Sequence, residues 1–217
     1  MAVTAGGIGQ VVLATVTVRY TGTTSANITS LSFTGLSAMT LSGVPTLPLA
    51  LSPNGSTSFV VQYVPSTGAS ITGQVSIGFT DNNQPSAFTF TVNGTTPDLA
   101  FTYFVAPNGA LTGLNPGDRI TFPATNVGST STAVVNVLNR GSAAGSLQSV
   151  AVNGADYQIT GSTVPTAVPA GQQVSFNVVF TPHANGTSSG LLTVGTNNAN
   201  SIFLLSGSGA NPDLSVF

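Results

Sequence analysis

VSFNVVFTPHANGTSSGLLTVGTNNANSIFLLSGSG, residues 174–209, is the stretch whose reading decides the fold. Phe176, Val178 and Phe180 alternate with Ser175, Asn177 and Val179, the period-2 pattern of a strand with one buried face. Pro182 ends that strand, because a proline cannot donate to a ladder. Asn185-Gly186 supplies the positive φ of a turn. Apolar runs at 191–194 and 202–205 predict two further strands, the last of them stopped by Gly207 and Gly209.

Nearly the same text stands earlier, as FVVQYVPSTGASITGQVSIGF at 59–79 and FTFTVNG at 88–94. The pairs Phe59/Phe176, Tyr63/Phe180, Pro65/Pro182, Gly73/Gly190 and Ile77/Val194 each lie 117 residues apart. The tripeptide Pro97-Asp98-Leu99 returns as Pro212-Asp213-Leu214. Agreement of core, proline and glycine positions in one register predicts two copies of a single all-β unit. The copies occupy residues 1–95 and 97–210, and 211–217 reads as the start of a truncated third copy or a tail. On that reading the chain is a piece of a longer array. Further strands are expected at 10–20, 28–34, 38–41, 99–105, 119–122, 132–139, 147–152 and 156–160, with Pro123 stopping the strand at 119–122. The first copy has no counterpart of 99–122, so its first strand is expected to be missing.

Composition agrees with strands. Of 217 residues only 4% are charged, against about 25% in an ordinary soluble domain. The charges are Arg19, Arg119, Arg140, Asp81, Asp98, Asp118, Asp156 and Asp213; Lys and Glu are absent altogether. Those two residues fill exposed helical faces, so their absence argues against helix. Three arginines cannot assemble the phosphate-neutralising surface that nucleic-acid binding needs. No apolar run reaches the ~18 residues of a spanning helix, so no membrane insertion is expected. Met1-Ala2-Val3 opens neither a basic n-region nor a long apolar h-region. Edge strands are normally guarded by Lys or other charges. With no Lys, protection must come from Pro and bulges, or else the edges pair with other molecules.

Seven or so short strands per copy, with turn signals every eight to twelve residues, predict an immunoglobulin-like sandwich. The chain has no Cys and no Trp, so the cysteine–tryptophan signature of antibody domains is absent and the core rests on Phe, Val, Leu and Ile. Five motifs carry a closer resemblance. They are 125–132 (TNVGSTST), Asn139-Arg140-Gly141, Pro169-Ala170-Gly171, Val179-Phe180-Thr181-Pro182 and 205–209 (LSGSG). In this order they resemble the abnormal-spindle/Hydin (ASH) class of immunoglobulin-like domains, in its bacterial form the "choice-of-anchor D" repeats, over nearly all of 99–209. The first copy departs from the pattern: Tyr20-Thr21-Gly22 stands where Asn-x-Gly is usual, and Val64-Pro65 where Thr-Pro is. The resemblance implies two tandem ASH/major-sperm-protein-like β-sandwiches that are not enzymes. They would serve as a spacer or adhesion-type scaffold of a larger exported bacterial protein, at the cell surface or outside the cell. It carries over no catalytic, metal or cofactor residues.

Several short motifs suggest chemistry, and each has a plainer role. Gly186-Thr187-Ser188-Ser189-Gly190 fits the G-x-S-x-G elbow, with His183 nearby, but that elbow needs a strand–turn–helix context and a late histidine. Here it reads as a polar hairpin turn, and His183 as a solvated loop residue. Asp98 and Asp213 are one repeated junction position, and neither Asp118 nor Asp156 is spaced to face a second carboxylate as glycoside hydrolysis requires. Asp81-Asn82-Asn83 lacks the acidic twelfth ligand of a calcium loop, and Gly6-Gly7-Ile8-Gly9 precedes a strand rather than a phosphate-binding helix. Catalytic, metal and cofactor sites are therefore expected to be absent. Partners are expected to be protein. The rival readings are a glycan-binding module or an accessory module of a larger secreted enzyme, for which Tyr20 and Tyr103 are the candidate surface rings; Tyr63 is placed in the core and Tyr157 beside Gly154.

Overall fold

The computed structural model describes residues 1–211, and all regular structure there is strand. The expected third-copy residues Pro212-Asp213-Leu214 lie outside the described residues. Contacts divide the chain into two units, Met1–Pro97 with Gly141–Ala143, and Asp98–Arg140 with the residues from Ala144 on.

The first unit contains β1 (Ala2–Thr4), β2 (Val12–Arg19), β3 (Ala26–Thr34), β4 (Met39–Ser42), β5 (Leu49–Leu51), β6 (Ser56–Tyr63), β7 (Ile71–Asp81) and β8 (Gln84–Thr95). They form one sheet in the order β1-β8-β7-β3-β5 and a second in the order β2-β6-β4. The second unit contains β9 (Leu99–Val105), β10 (Thr112–Leu114), β11 (Arg119–Asn126), β12 (Ser131–Asn139), β13 (Gly145–Asn153), β14 (Tyr157–Thr160), β15 (Thr166–Val168), β16 (Gln173–Phe180), β17 (Gly186–Thr196) and β18 (Asn200–Ala210). Its sheets run β11-β18-β17-β13-β15 and β10-β9-β12-β16-β14.

Equivalent positions can be read from the pairing registers. Val16 lies opposite Phe59 in the first unit, and Val135 opposite Phe176 in the second. Tyr63 meets Met39 across β4–β6, as Phe180 meets Tyr157 across β14–β16. Both units carry a register shift at the same point of the sheet that holds the last strand, between Ile28 and Ser30 and between Leu147 and Ser149. Alternating inward residues fill each core: Phe59, Val61, Tyr63, Val75 and Val92 in one, Val135, Phe176, Phe180, Leu192 and Phe203 in the other. Each unit is thus an immunoglobulin-like sandwich of two sheets.

Three sequence readings need correction. The strand at 119–122 is not stopped by Pro123 but runs to Asn126, the proline falling where the register shifts between Thr121 and Ala124, a place that tolerates a missing donor. The last strand is not stopped at Gly207 and Gly209 either. It runs to Ala210, and the glycines are there because a Cβ on Gly207 would lie 2.6 Å from the Phe180 ring. Gly186–Gly190 is not a hairpin turn but the first part of β17, paired with 205–209.

Tyr63 is fully buried, and its hydroxyl has no hydrogen-bond partner. Burial alone pushes its pKa above the ordinary phenol value. The second unit puts Phe180 in this place, where nothing polar is stranded. An orphaned buried hydroxyl costs about 1–3 kcal/mol, so Tyr63→Phe is expected to raise the stability of the first unit by about 1 kcal/mol or more, readable as a higher denaturation midpoint for that unit.

Candidate functional site

Asp156, Tyr157 and His183 gather at one place in the second unit. Asp156 precedes β14, and its carbonyl accepts from the Thr181 amide at 2.8 Å, which holds the end of β16 against the start of β14. Pro182 cannot extend the ladder, so the chain leaves the sheet and carries His183 back over Asp156. The His183 amide donates to Asp156 Oδ1 at 3.2 Å, and the ring Nδ1 meets the same oxygen at 2.6 Å. The Ser188 side chain lies beside the same carboxylate. Ser188 and His183 together hold the Asp156 carboxyl below the usual carboxylate range, the serine contributing most. Tyr157 completes the group by donating its hydroxyl to the Ser188 carbonyl at 3.0 Å, and burial raises its pKa.

Serine, histidine and aspartate thus come together, but in the wrong order for acyl transfer. A nucleophilic serine needs its proton taken by the imidazole, with the carboxylate orienting the ring from behind. Here the imidazole is bonded to the carboxylate, and the serine sits in a ladder opposite Gly207 rather than on an elbow. The His183 side chain is 73% exposed and that of Asp156 20%. The arrangement is a polar clamp that ties β14 to β17 and to the β16–β17 connection. Sequence reading placed His183 correctly in a connection but missed its pairing with Asp156, for which no local spacing exists.

The clamp has a pH signature. With its folded pKa below the unfolded value of ~3.9, Asp156 contributes stability that is complete above that value and lost as pH falls through the folded pKa. Asp156→Asn is therefore expected to melt below the parent protein at pH 6, the gap closing as pH is lowered toward 2, in a series of thermal melts.

The other acidic residues serve local structure. Asp118 accepts from the Asn115 amide at 2.7 Å and closes its own turn. Asp81 accepts from the Tyr20 hydroxyl at 2.9 Å. Beside it Asn82 and Asn83, at φ of 49° and 61°, make the tight β7–β8 turn, whose two central residues need positive φ. Asp98 pairs with Arg140 at 3.6 Å. The Asp98 amide donates to Asn139 Oδ1 at 3.1 Å, and Asn139 Nδ2 donates to the Val168 carbonyl at 2.8 Å. Asn139 is fully buried, and it ties the start of β9 to the end of β12. Tyr20 takes its place in the first unit. Among the described residues no group of three His, Cys, Asp or Glu stands close enough to hold a metal ion.

Tyr20 and Tyr103, expected as surface rings, are both half-buried and packed on their cores. Tyr20 is bonded to Asp81, and the Tyr103 hydroxyl reaches the Arg119 carbonyl at 3.5 Å. Each ring is thus held against its own unit by packing and by its hydroxyl.

The fold and this inventory define an immunoglobulin-like β-sandwich protein. Residues 107–202 match the family model of the ASH domain, "Abnormal spindle-like microcephaly-assoc'd, ASPM-SPD-2-Hydin". No curated protein matches the chain. Solved structures similar to it include a protein of unknown function from Porphyromonas gingivalis W83, at 9% identity and TM-score 0.40, covering 92% of this chain and 91% of that one. The ASH / PapD-like domain of human CEP192 is 16% identical at TM-score 0.36, over 51% of this chain and 87% of that one. The C-terminal domain of the Streptococcus agalactiae AgI/II polypeptide BspA is 10% identical at TM-score 0.36, over 95% and 94%.

Proposed function

We propose that the chain is a non-catalytic scaffold segment. Two tandem immunoglobulin-like domains, at residues 1–95 and 97–210, space and display other parts of a larger exported bacterial protein and offer surfaces to protein partners. What supports this reading most directly is what the two units keep and what they discard. Both keep inward Phe and Val positions, the pairing registers and the bulge. The polar clamp is not kept. The Val64 amide donates to the Ala38 carbonyl at 2.8 Å just as that of Thr181 does to Asp156, yet Ala38 and Ser66 fill the places of Asp156 and His183. Ile71, opposite Gly94, fills that of Ser188. Repetition thus preserves the framework and leaves its polar cluster free to vary, as a spacer or display element allows.

The test is location. An antibody raised against the chain should label intact cells of the organism that makes it, and external protease should strip the label. Retention of the protein inside the cell would overturn the exported role.

A further inference from the structure

The two sandwiches differ at one edge. In the second unit β12 lies between β16 and β9, with Phe101 opposite Val137, Tyr103 opposite Val135 and Val105 opposite Ala133. In the first unit β2, the counterpart of β12, pairs with β6 alone among the described residues. The inward side chains register the difference. Ala133, Val135 and Val137 are buried, whereas Ala14, Val16 and Val18, in the same places, are half-exposed.

Beside that edge opens a groove of about 560 Å³, lined among others by Val16, Val18, Ile77, Phe79, Phe88 and Phe90. The registers set Phe90 opposite Val75 as Phe203 is opposite Leu192. In the second unit Phe203 is sealed edge-on by Phe101 of β9, at 5.3 Å between ring centres. Phe88 corresponds in the same way to Ser201, but is 59% exposed where the serine is 8%. The opening that a strand closes in one unit is, in the other, open and lined by an additional phenylalanine.

We propose that the first unit is a strand acceptor. The free edge of β2 and the groove beside it take an extended, uncharged protein segment with apolar side chains at alternate positions, laid antiparallel to β2. The second unit supplies the template. Transferring its register sets Phe101, Tyr103 and Val105 of such a segment over Val18, Val16 and Ala14, with Thr102 opposite Thr17 on the outer face. Main-chain hydrogen bonds to the exposed edge give affinity, and alternate side chains entering the groove give selectivity. The charged residues of the lining, Arg19 and Asp81, are opposite in sign, so a neutral segment suits it better than a charged one. A second copy lending its own β9 would uncover its β12 in exchange, so the occupant is a segment with no such prior place.

The inference rests on reading the chain as a protein-interaction module, but its test is independent of where the protein resides. The probe is a synthetic peptide of residues 99–106, LAFTYFVA, with both ends blocked so that it carries no charge, titrated into the full 217-residue chain. Saturable binding is expected, and a scrambled peptide that breaks the alternation should show none. Because the chain has no cysteine, register can be read directly. A Thr102→Cys peptide should form a disulfide severalfold faster with a Thr17→Cys chain than with a Thr15→Cys chain. Both threonines are exposed on the outer face of β2, so neither variant disturbs the core. Absence of saturable binding at ~1 mM peptide, the weak end of specific recognition, would overturn the proposal. So would equal cross-linking at the two positions.

Discussion

Replacing Phe180 with alanine should remove about 3–5 kcal/mol from the second unit, the usual cost of deleting a buried phenylalanine ring. Phe180 is fully buried at the end of β16. Its ring stacks on Tyr157 at 5.1 Å and packs against Phe122 at 5.5 Å, while the backbone of β18 passes close beneath it at Gly207. Neighbours drawn from several strands of both sheets cannot all move in to fill the space, so most of the cavity persists. In a denaturant titration the transition of the second unit should move to lower concentration while that of the first stays in place. A loss under 1 kcal/mol would mean that this end of the sandwich is loosely packed and would contradict the burial described here.

Gly190→Ala should be the next most damaging change. Gly190 lies in β17 opposite Leu205. A methyl group there would stand 2.5 Å from the Asn153 carbonyl oxygen and 2.9 Å from the Tyr157 ring. The carbonyl belongs to a paired strand and cannot swing aside as a side-chain tip can. The cost should sit at the upper end of the ~1–3 kcal/mol typical of overpacking. Gly113→Ala, where the added carbon meets nothing within 4 Å, is the control and should change stability by under about 0.5 kcal/mol. Equal effects of the two substitutions would refute the steric account.

Long strands were legible because alternation over seven or more residues leaves a clear record, as in Val174–Phe180 of β16. The strands β1, β5, β10 and β15 left none: each is three residues long, too short for a period to repeat. Glycine and proline misled in one direction. Pro123, Gly207 and Gly209 look like stops in the sequence, but their positions answer to a bulge and to the close approach of other chain segments, which only the folded structure displays. The Asp156–His183 pair was invisible for a related reason, being joined across a sheet and having no counterpart in the first copy. The open edge is the hardest case. QVVLATVTVRY reads as an ordinary amphipathic strand, and the presence or absence of a neighbour is not written in a strand's own residues. Only comparison of the two finished sandwiches exposes it.

In each unit a strand near the beginning runs parallel to the last one, β1 along β8 and β11 along β18. Tension between the start of the former and the end of the latter acts along the two strands in opposite senses. The hydrogen bonds between them are then strained together, in shear, instead of being peeled one by one as at the mouth of a hairpin. Such a seam is a mechanical clasp, and its strength grows with length. β11 runs along β18 from Arg119 to Asn126, so tension applied between those two ends meets the whole length of the seam at once.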